Sequence, residues 1–126
     1  MVRILKLAAA ATAAAALLST AAMGAGDAAK GKELFARCMV CHTSEKGGPN
    51  RVGPNLFGVV GRKAGTLPGF SFSPAMKNSG ITWDEEVLAK YLLAPSKMVP
   101  GTKMPFGGFN DPSQSADVAA YLATLK

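Results

Sequence analysis

Apolar positions along this chain fall into helical spacing at its two ends and near its middle. Gly31, Leu34, Phe35 and Cys38 recur at i, i+3, i+4 and i+7, with Asp27 placed to cap the helix they predict. Val87, Leu88, Tyr91 and Leu92 form a second stripe, preceded by Thr82-Trp83-Asp84-Glu85. That tetrapeptide reads as a capping box, with Thr82 as cap and Glu85 three residues on. Pro95 stops this helix. Asp111-Pro112 opens a third, with Val118, Tyr121, Leu122 and Leu125 on one face. A short helix is expected after Ser73-Pro74, ending at Gly80.

Between these stripes the chain has no periodicity of either kind. Residues 43–72 are rich in Gly and Pro, including Gly47-Gly48-Pro49 and Gly53-Pro54-Asn55, and a second such loop runs from Pro95 to Asp111. No alternating pattern predicts a strand, and no repeat or linker divides the chain. The expectation is a small all-α domain whose helices are too few to enclose a core by themselves. Long ordered loops in so small a domain usually carry function or wrap around something.

The first residues belong to a different pattern. Arg3 and Lys6 precede an Ala/Leu run from Leu7 to Leu18, followed by small residues through Ala25. Basic, then apolar, then small is the order of a secretory signal peptide. The apolar run is shorter than the roughly 18–20 residues that span a bilayer. The organisation expected is therefore residues 1–25 as a cleavable signal peptide and residues 26–126 as the mature domain, without stable membrane insertion after cleavage. About 100 residues make a thin core for a bare polypeptide, and a non-protein group inside would thicken it.

Charge narrows the partners. Of 14 Lys and Arg, two lie in the leader, leaving 12 against 8 Asp and Glu. An excess of this size steers a protein toward acidic partners. The basic residues are scattered and no nucleic-acid-binding motif accompanies them, so nucleic acid is not expected as a partner.

Cys38 and Cys41 are the only cysteines, and His42, directly after them, is the only histidine. An exported pair of cysteines normally suggests a disulfide, but Cys-x-x-Cys-His is the attachment signature of c-type haem. Two thiols three positions apart reach the two vinyl groups on one side of a porphyrin. The adjacent imidazole then points at the iron from the same segment. A thioredoxin-like redox pair needs a βαβ context that is absent here, and a zinc site needs a fourth ligand that the composition does not supply.

Haem held by His42 leaves a sixth position to fill. With no second histidine, a Met thioether is the natural candidate. Met1 and Met23 leave with the signal peptide and Met39 lies inside the attachment motif, so Met76, Met98 and Met104 remain. Each has an ordinary role as core filler. The rigid context Pro100-Gly101-Thr102-Lys103-Met104-Pro105 favours Met104.

From Gly26 to Lys126 the chain resembles the class I cytochromes c, of the bacterial cytochrome c2 and mitochondrial cytochrome c type. The resemblance rests on Cys38-Met39-Val40-Cys41-His42, Gly53-Pro54-Asn55-Leu56, Gly80-Ile81-Thr82-Trp83 and Pro100-Gly101-Thr102-Lys103-Met104, in that order. It implies the small cytochrome c fold, with first and last helices packed through Gly31, Phe35, Tyr121 and Leu122, and long loops wrapped around one covalently bound haem c. It implies Cys38 and Cys41 as thioether attachments, and His42 and Met104 as axial iron ligands. Pro54 corresponds to the proline whose carbonyl accepts the His42 Nδ1–H. Arg62, Trp83 and Thr102 correspond to residues near the haem propionates, and Tyr91 to a tyrosine near the Met sulfur. Phe72 and Met76 depart from the mitochondrial pattern, which has Tyr and often Asn there.

The function implied is a soluble periplasmic one-electron carrier, not an enzyme, and expected to be a monomer. Its partners would present acidic surfaces, as on a bc1-type complex, a cytochrome oxidase or a photosynthetic reaction centre. Arg37, Arg51, Lys97 and Lys103, with Lys46, are the cations expected around the exposed haem edge. A small haem peroxidase or gas-sensing haem domain is the alternative. It would need a vacant or displaceable sixth position and distal acid/base residues, and no second histidine exists to supply one.

Overall fold

The computed structural model describes residues 26–126, so the signal peptide expected over residues 1–25 lies outside the described residues. Five helices follow one another: α1 (Ala28–Leu34), α2 (Pro74–Lys77), α3 (Glu85–Leu93), α4 (Pro95–Met98) and α5 (Pro112–Ala123). Among the described residues the only extended pairing is an isolated bridge between Lys63 and Thr82, which agrees with the all-α expectation. No described helix is long and apolar enough to cross a membrane.

Helix α1 starts where the pattern places it. The Asp27 carboxylate accepts from the N–H groups of Ala29 and Lys30, at 2.9 and 3.1 Å. The α-helix stops at Leu34 and tightens into a 3₁₀ turn over Phe35–Arg37. The expected stripe through Cys38 is therefore half helix and half turn. That tightening brings the chain round so that Cys38 begins a new loop.

The terminal helices pack against each other. Gly31 is buried, and a Cβ there would run into the backbone carbonyl of Asp117 and lie 2.9 Å from the Tyr121 Cβ. Absence of a side chain lets the two backbones approach. Asp117 also accepts from the Asp27 N–H at 2.8 Å, and the Phe35 and Tyr121 rings meet at 5.2 Å with a 54° tilt. Phe35 and Val118 are fully buried at this crossing. Ser115, also fully buried, donates its hydroxyl to the Ala89 carbonyl and so ties α5 to α3.

The second expected start differs by two residues. Helix α3 is capped by Asp84, whose carboxylate accepts from the Val87 N–H at 2.7 Å. Thr82 is not the cap. Trp83 donates to the Arg62 carbonyl at 2.9 Å and accepts from the Gly61 N–H, holding residues 82–83 extended beside residues 61–63. Tertiary pairing thus keeps Thr82 out of the cap, and Asp84, the next residue able to cap, takes over. Pro95 ends α3 as expected and also opens the short α4 at its first turn, where a missing N–H costs nothing.

Candidate haem site

The loops enclose a cavity of about 690 Å³. Cys38, Cys41 and His42 line it, and Thr102, Lys103 and Met104 of the second long loop line it too. Apolar side chains supply most of the remaining wall, including Phe35, Leu56, Val59, Leu88, Leu92 and Leu122.

The attachment segment is a tight turn. The N–H groups of Cys41 and His42 both donate to the Cys38 carbonyl, at 3.1 and 2.9 Å. Burial pushes the Cys38 thiol above its ordinary value; the Arg37 charge beside it lowers it in part, and Cys41 adds to the rise.

His42 is held from behind. Its Nδ1 donates to the Pro54 carbonyl over 2.7 Å. A carbonyl can only accept, so the proton sits on Nδ1 and Nε2 presents a free lone pair. Burial lowers the imidazole's proton affinity, partly offset by the bond to Pro54, and so favours the neutral form that binds metal. Gly53 makes this approach possible: its N–H donates to the Cys41 carbonyl at 2.9 Å, and a Cβ there would come within 2.6 Å of the His42 Nδ1.

Asn55 organises the same loop, a role the sequence reading did not assign. It is 8 % exposed and uses both ends of its amide. Nδ2 donates to the Thr43 hydroxyl at 2.6 Å and the Glu45 carbonyl at 3.0 Å, while Oδ1 accepts from the Phe57 N–H at 3.0 Å. Its place in Gly53-Pro54-Asn55 was the available signal. Arg62 braces the turn beyond, donating to the carbonyls of Asn55 at 3.3 Å and Phe57 at 2.6 Å, and it too lines the cavity. Partial burial lowers its pKa.

Also in the lining, Trp83 and Tyr91 are buried with ring centroids 4.9 Å apart. Burial raises the Tyr91 pKa, and a hydrogen bond with the Thr102 side chain opposes it. The Thr102 hydroxyl oxygen in turn accepts from the Met104 N–H at 3.2 Å. Thr102 thus braces the Met104 backbone, and Tyr91, Thr102 and Met104 all line the cavity. Of the three candidate sulfurs, Met104 and Met76 line the cavity; Met98 packs against the core outside that lining. Phe72 lines it without offering a hydroxyl.

Of the cations expected at the rim, Arg37 and Lys103 line the cavity, while Arg51 donates to the Met39 carbonyl at 3.3 Å. Among the described residues only Lys90 forms an ion pair, with Glu86 at 3.3 Å, so none of these rim charges is neutralised by a carboxylate. Among the described residues no three His, Cys, Asp or Glu side chains are placed to hold a metal ion between them.

Two thiols, an imidazole with its Nε2 free and a thioether lining one largely apolar cavity define a c-type haem protein with the all-α fold of a small cytochrome. The family model described as Cytochrome c matches residues 28–126, and the chain belongs to that family. It is 51% identical over 111 residues to cytochrome c2 of Rhodomicrobium vannielii, covering 88% of this chain and 89% of that one. It is 53% identical over 102 residues to cytochrome c2 of Rhodopila globiformis, covering 80% and 95%. Among solved structures, cytochrome cH from Methylobacterium extorquens superposes with a TM-score of 0.73 at 53% identity, over 79% of this chain and 99% of that chain. The protein is thus a haem c-binding electron-transfer protein rather than an enzyme.

Proposed function

We propose that residues 26–126 act in a bacterial periplasm as a soluble carrier of single electrons, after removal of residues 1–25. Cys38 and Cys41 would hold the haem by thioether bonds, and His42 Nε2 and Met104 Sδ would ligate its iron. The observation that carries this reading is that Cys38, Cys41, His42 and Met104 all line one cavity, with His42 locked into the metal-binding tautomer by Pro54.

When bound, haem c supplies a one-electron ferric/ferrous couple. The chain's residues set how that couple behaves. A thioether favours ferrous iron and raises the reduction potential, and the apolar wall works in the same direction by disfavouring the extra ferric charge. With His42 and Met104 both committed to the iron, no position would be left for oxygen or peroxide. Arg62, Trp83 and Thr102 would serve the propionates, Tyr91 would lie near the Met104 sulfur, and Thr102 steadies the Met104 backbone by accepting its N–H. Pro54 behind His42 and Thr102 behind the Met104 backbone would hold the two ligands in place whichever oxidation state is present, so little rearranges during transfer.

Cations at the rim, among them Arg37, Arg51, Lys97, Lys103 and Lys46, steer the protein onto acidic faces of a membrane reductase, an oxidase or a photosynthetic reaction centre. Such encounters are small, below about 1,200 Å², and weaken with salt.

Absorption spectra of the oxidised and reduced holoprotein test the reading. A sharp reduced α-band, with a far-red sulfur-to-iron band that disappears in Met104→Ala, is expected. A high-spin wild-type spectrum, or a far-red band surviving that substitution, overturns the ligand assignment. Recovery of the red protein in the periplasmic fraction tests the export step independently.

A further inference from the structure

Arg37 closes the 3₁₀ turn and immediately precedes Cys38, and its guanidinium carbon lies 5.4 Å from the centre of the Phe109 ring. That ring does not belong to the attachment segment. Phe109 lies five residues beyond Met104 and is 4 % exposed. Its N–H donates to the Leu92 carbonyl at 2.9 Å, and its ring meets Phe106 edge-on at 5.1 Å and 70°. Phe106, two residues after Met104, lines the cavity. Gly108 lets the loop come this close to α3, since a Cβ there would collide with the Leu93 carbonyl.

A path therefore runs from the residue before Cys38, through a cation on an aromatic face, to the loop that carries Met104. An arginine stacks on a ring both as a charge over a quadrupole and as one plane on another. Arg37 has no carboxylate partner among the described residues to compete for it.

We propose that Arg37 is a positioning residue, a clasp that ties the haem-attachment turn to the Met104 loop through Phe109 and keeps that loop closed over the cavity. This gives Arg37 a second role besides that of a docking charge, and it rests on Met104 being the sixth ligand. An external ligand binds the iron only when the Met104 loop opens, so its apparent affinity reports the open population.

The test is titration of the ferric holoprotein with imidazole, followed by loss of the far-red band. Arg37→Ala is expected to raise the apparent imidazole affinity about two- to fivefold, the worth of one exposed cation–π contact. Lys32→Ala, an equal loss of charge on the exposed side of α1, is expected to leave it unchanged. In a Phe109→Leu background, which keeps an apolar side chain but removes the π face, Arg37→Ala is expected to add nothing further. Wild-type affinity in Arg37→Ala overturns the clasp. So does an equal effect from Lys32→Ala, or an undiminished Arg37→Ala effect in the Phe109→Leu background. Failure of the Met104 assignment shows itself differently, as a far-red band that survives Met104→Ala.

Discussion

The Nδ1 of His42 and the carbonyl oxygen of Pro54 stand 2.7 Å apart, joining two segments twelve residues apart in the chain. The acceptor is main-chain, so replacing the proline side chain does not remove it. Pro54→Ala should keep the low-spin spectrum while losing about 0.4–1 kcal/mol of stability through a freer unfolded chain. Gly53→Ala, by contrast, places a Cβ 2.6 Å from the same nitrogen and should displace the ring. Spectra and urea unfolding of the two holoproteins check this, and a normal far-red band in Gly53→Ala would count against the geometry.

Met76 shares the cavity with Met104, and the two sulfurs are to be separated by experiment. Met76→Leu conserves volume and should cost less than about 1.5 kcal/mol, with the far-red band intact. Loss of that band in Met76→Leu would show that the wrong methionine has been assigned to the iron.

The crossing of α1 and α5 depends on Gly31. Gly31→Ala gains a better helix former but drives a methyl group into the Asp117 carbonyl. The clash should dominate, because the obstacle is backbone of another helix and not a movable side-chain end. A net loss of about 1–3 kcal/mol is expected, read from the urea midpoint by Trp83 fluorescence and haem absorbance together. An unchanged or raised midpoint would mean that the helices slide apart at little cost.

Asp111 caps α5 by accepting from the Ser113 N–H at 2.8 Å, and that bond, with help from the Ser113 hydroxyl, holds its pKa below the usual carboxylate value. A depressed folded pKa means the unfolded chain takes up the proton first. The capping contribution is therefore fully present above the ordinary carboxylate pKa and is lost as pH falls through the lower folded value. Asp111→Asn keeps a capping oxygen without the titration. Its stability should fall less steeply between pH 4 and the acid limit, as shown by denaturation at a series of pH values. An acid limb as steep as wild type would remove Asp111 from the account.

Much of this was legible in the order of residues. Asp27 and Asp111 cap the helices their positions predict, and Pro54 stands behind His42. Less legible were features made by pairs far apart in the chain. Thr82 satisfies the capping-box pattern, yet pairing of residues 82–83 with 61–63 keeps it extended and hands the cap to Asp84. Arg37 reads as one solvated charge among several, and only the fold sets it over Phe109. Asn55 reads as a loop residue until its amide is seen to hold Thr43, Glu45 and Phe57 together.

By itself the sequence determined the elements whose causes are local: helix caps, prolines at helix starts, and two cysteines and a histidine within five residues. A side chain bonding its own neighbours needs no knowledge of the rest of the chain. Tertiary structure decided which candidates share a cavity, bringing Met76 and Met104 to its wall and leaving Met98 in the packing outside. That choice depends on how the Gly/Pro loops close over the crossed terminal helices. Loops without hydrophobic periodicity carry no local signal of where they return, because contacts made elsewhere in the fold fix their course.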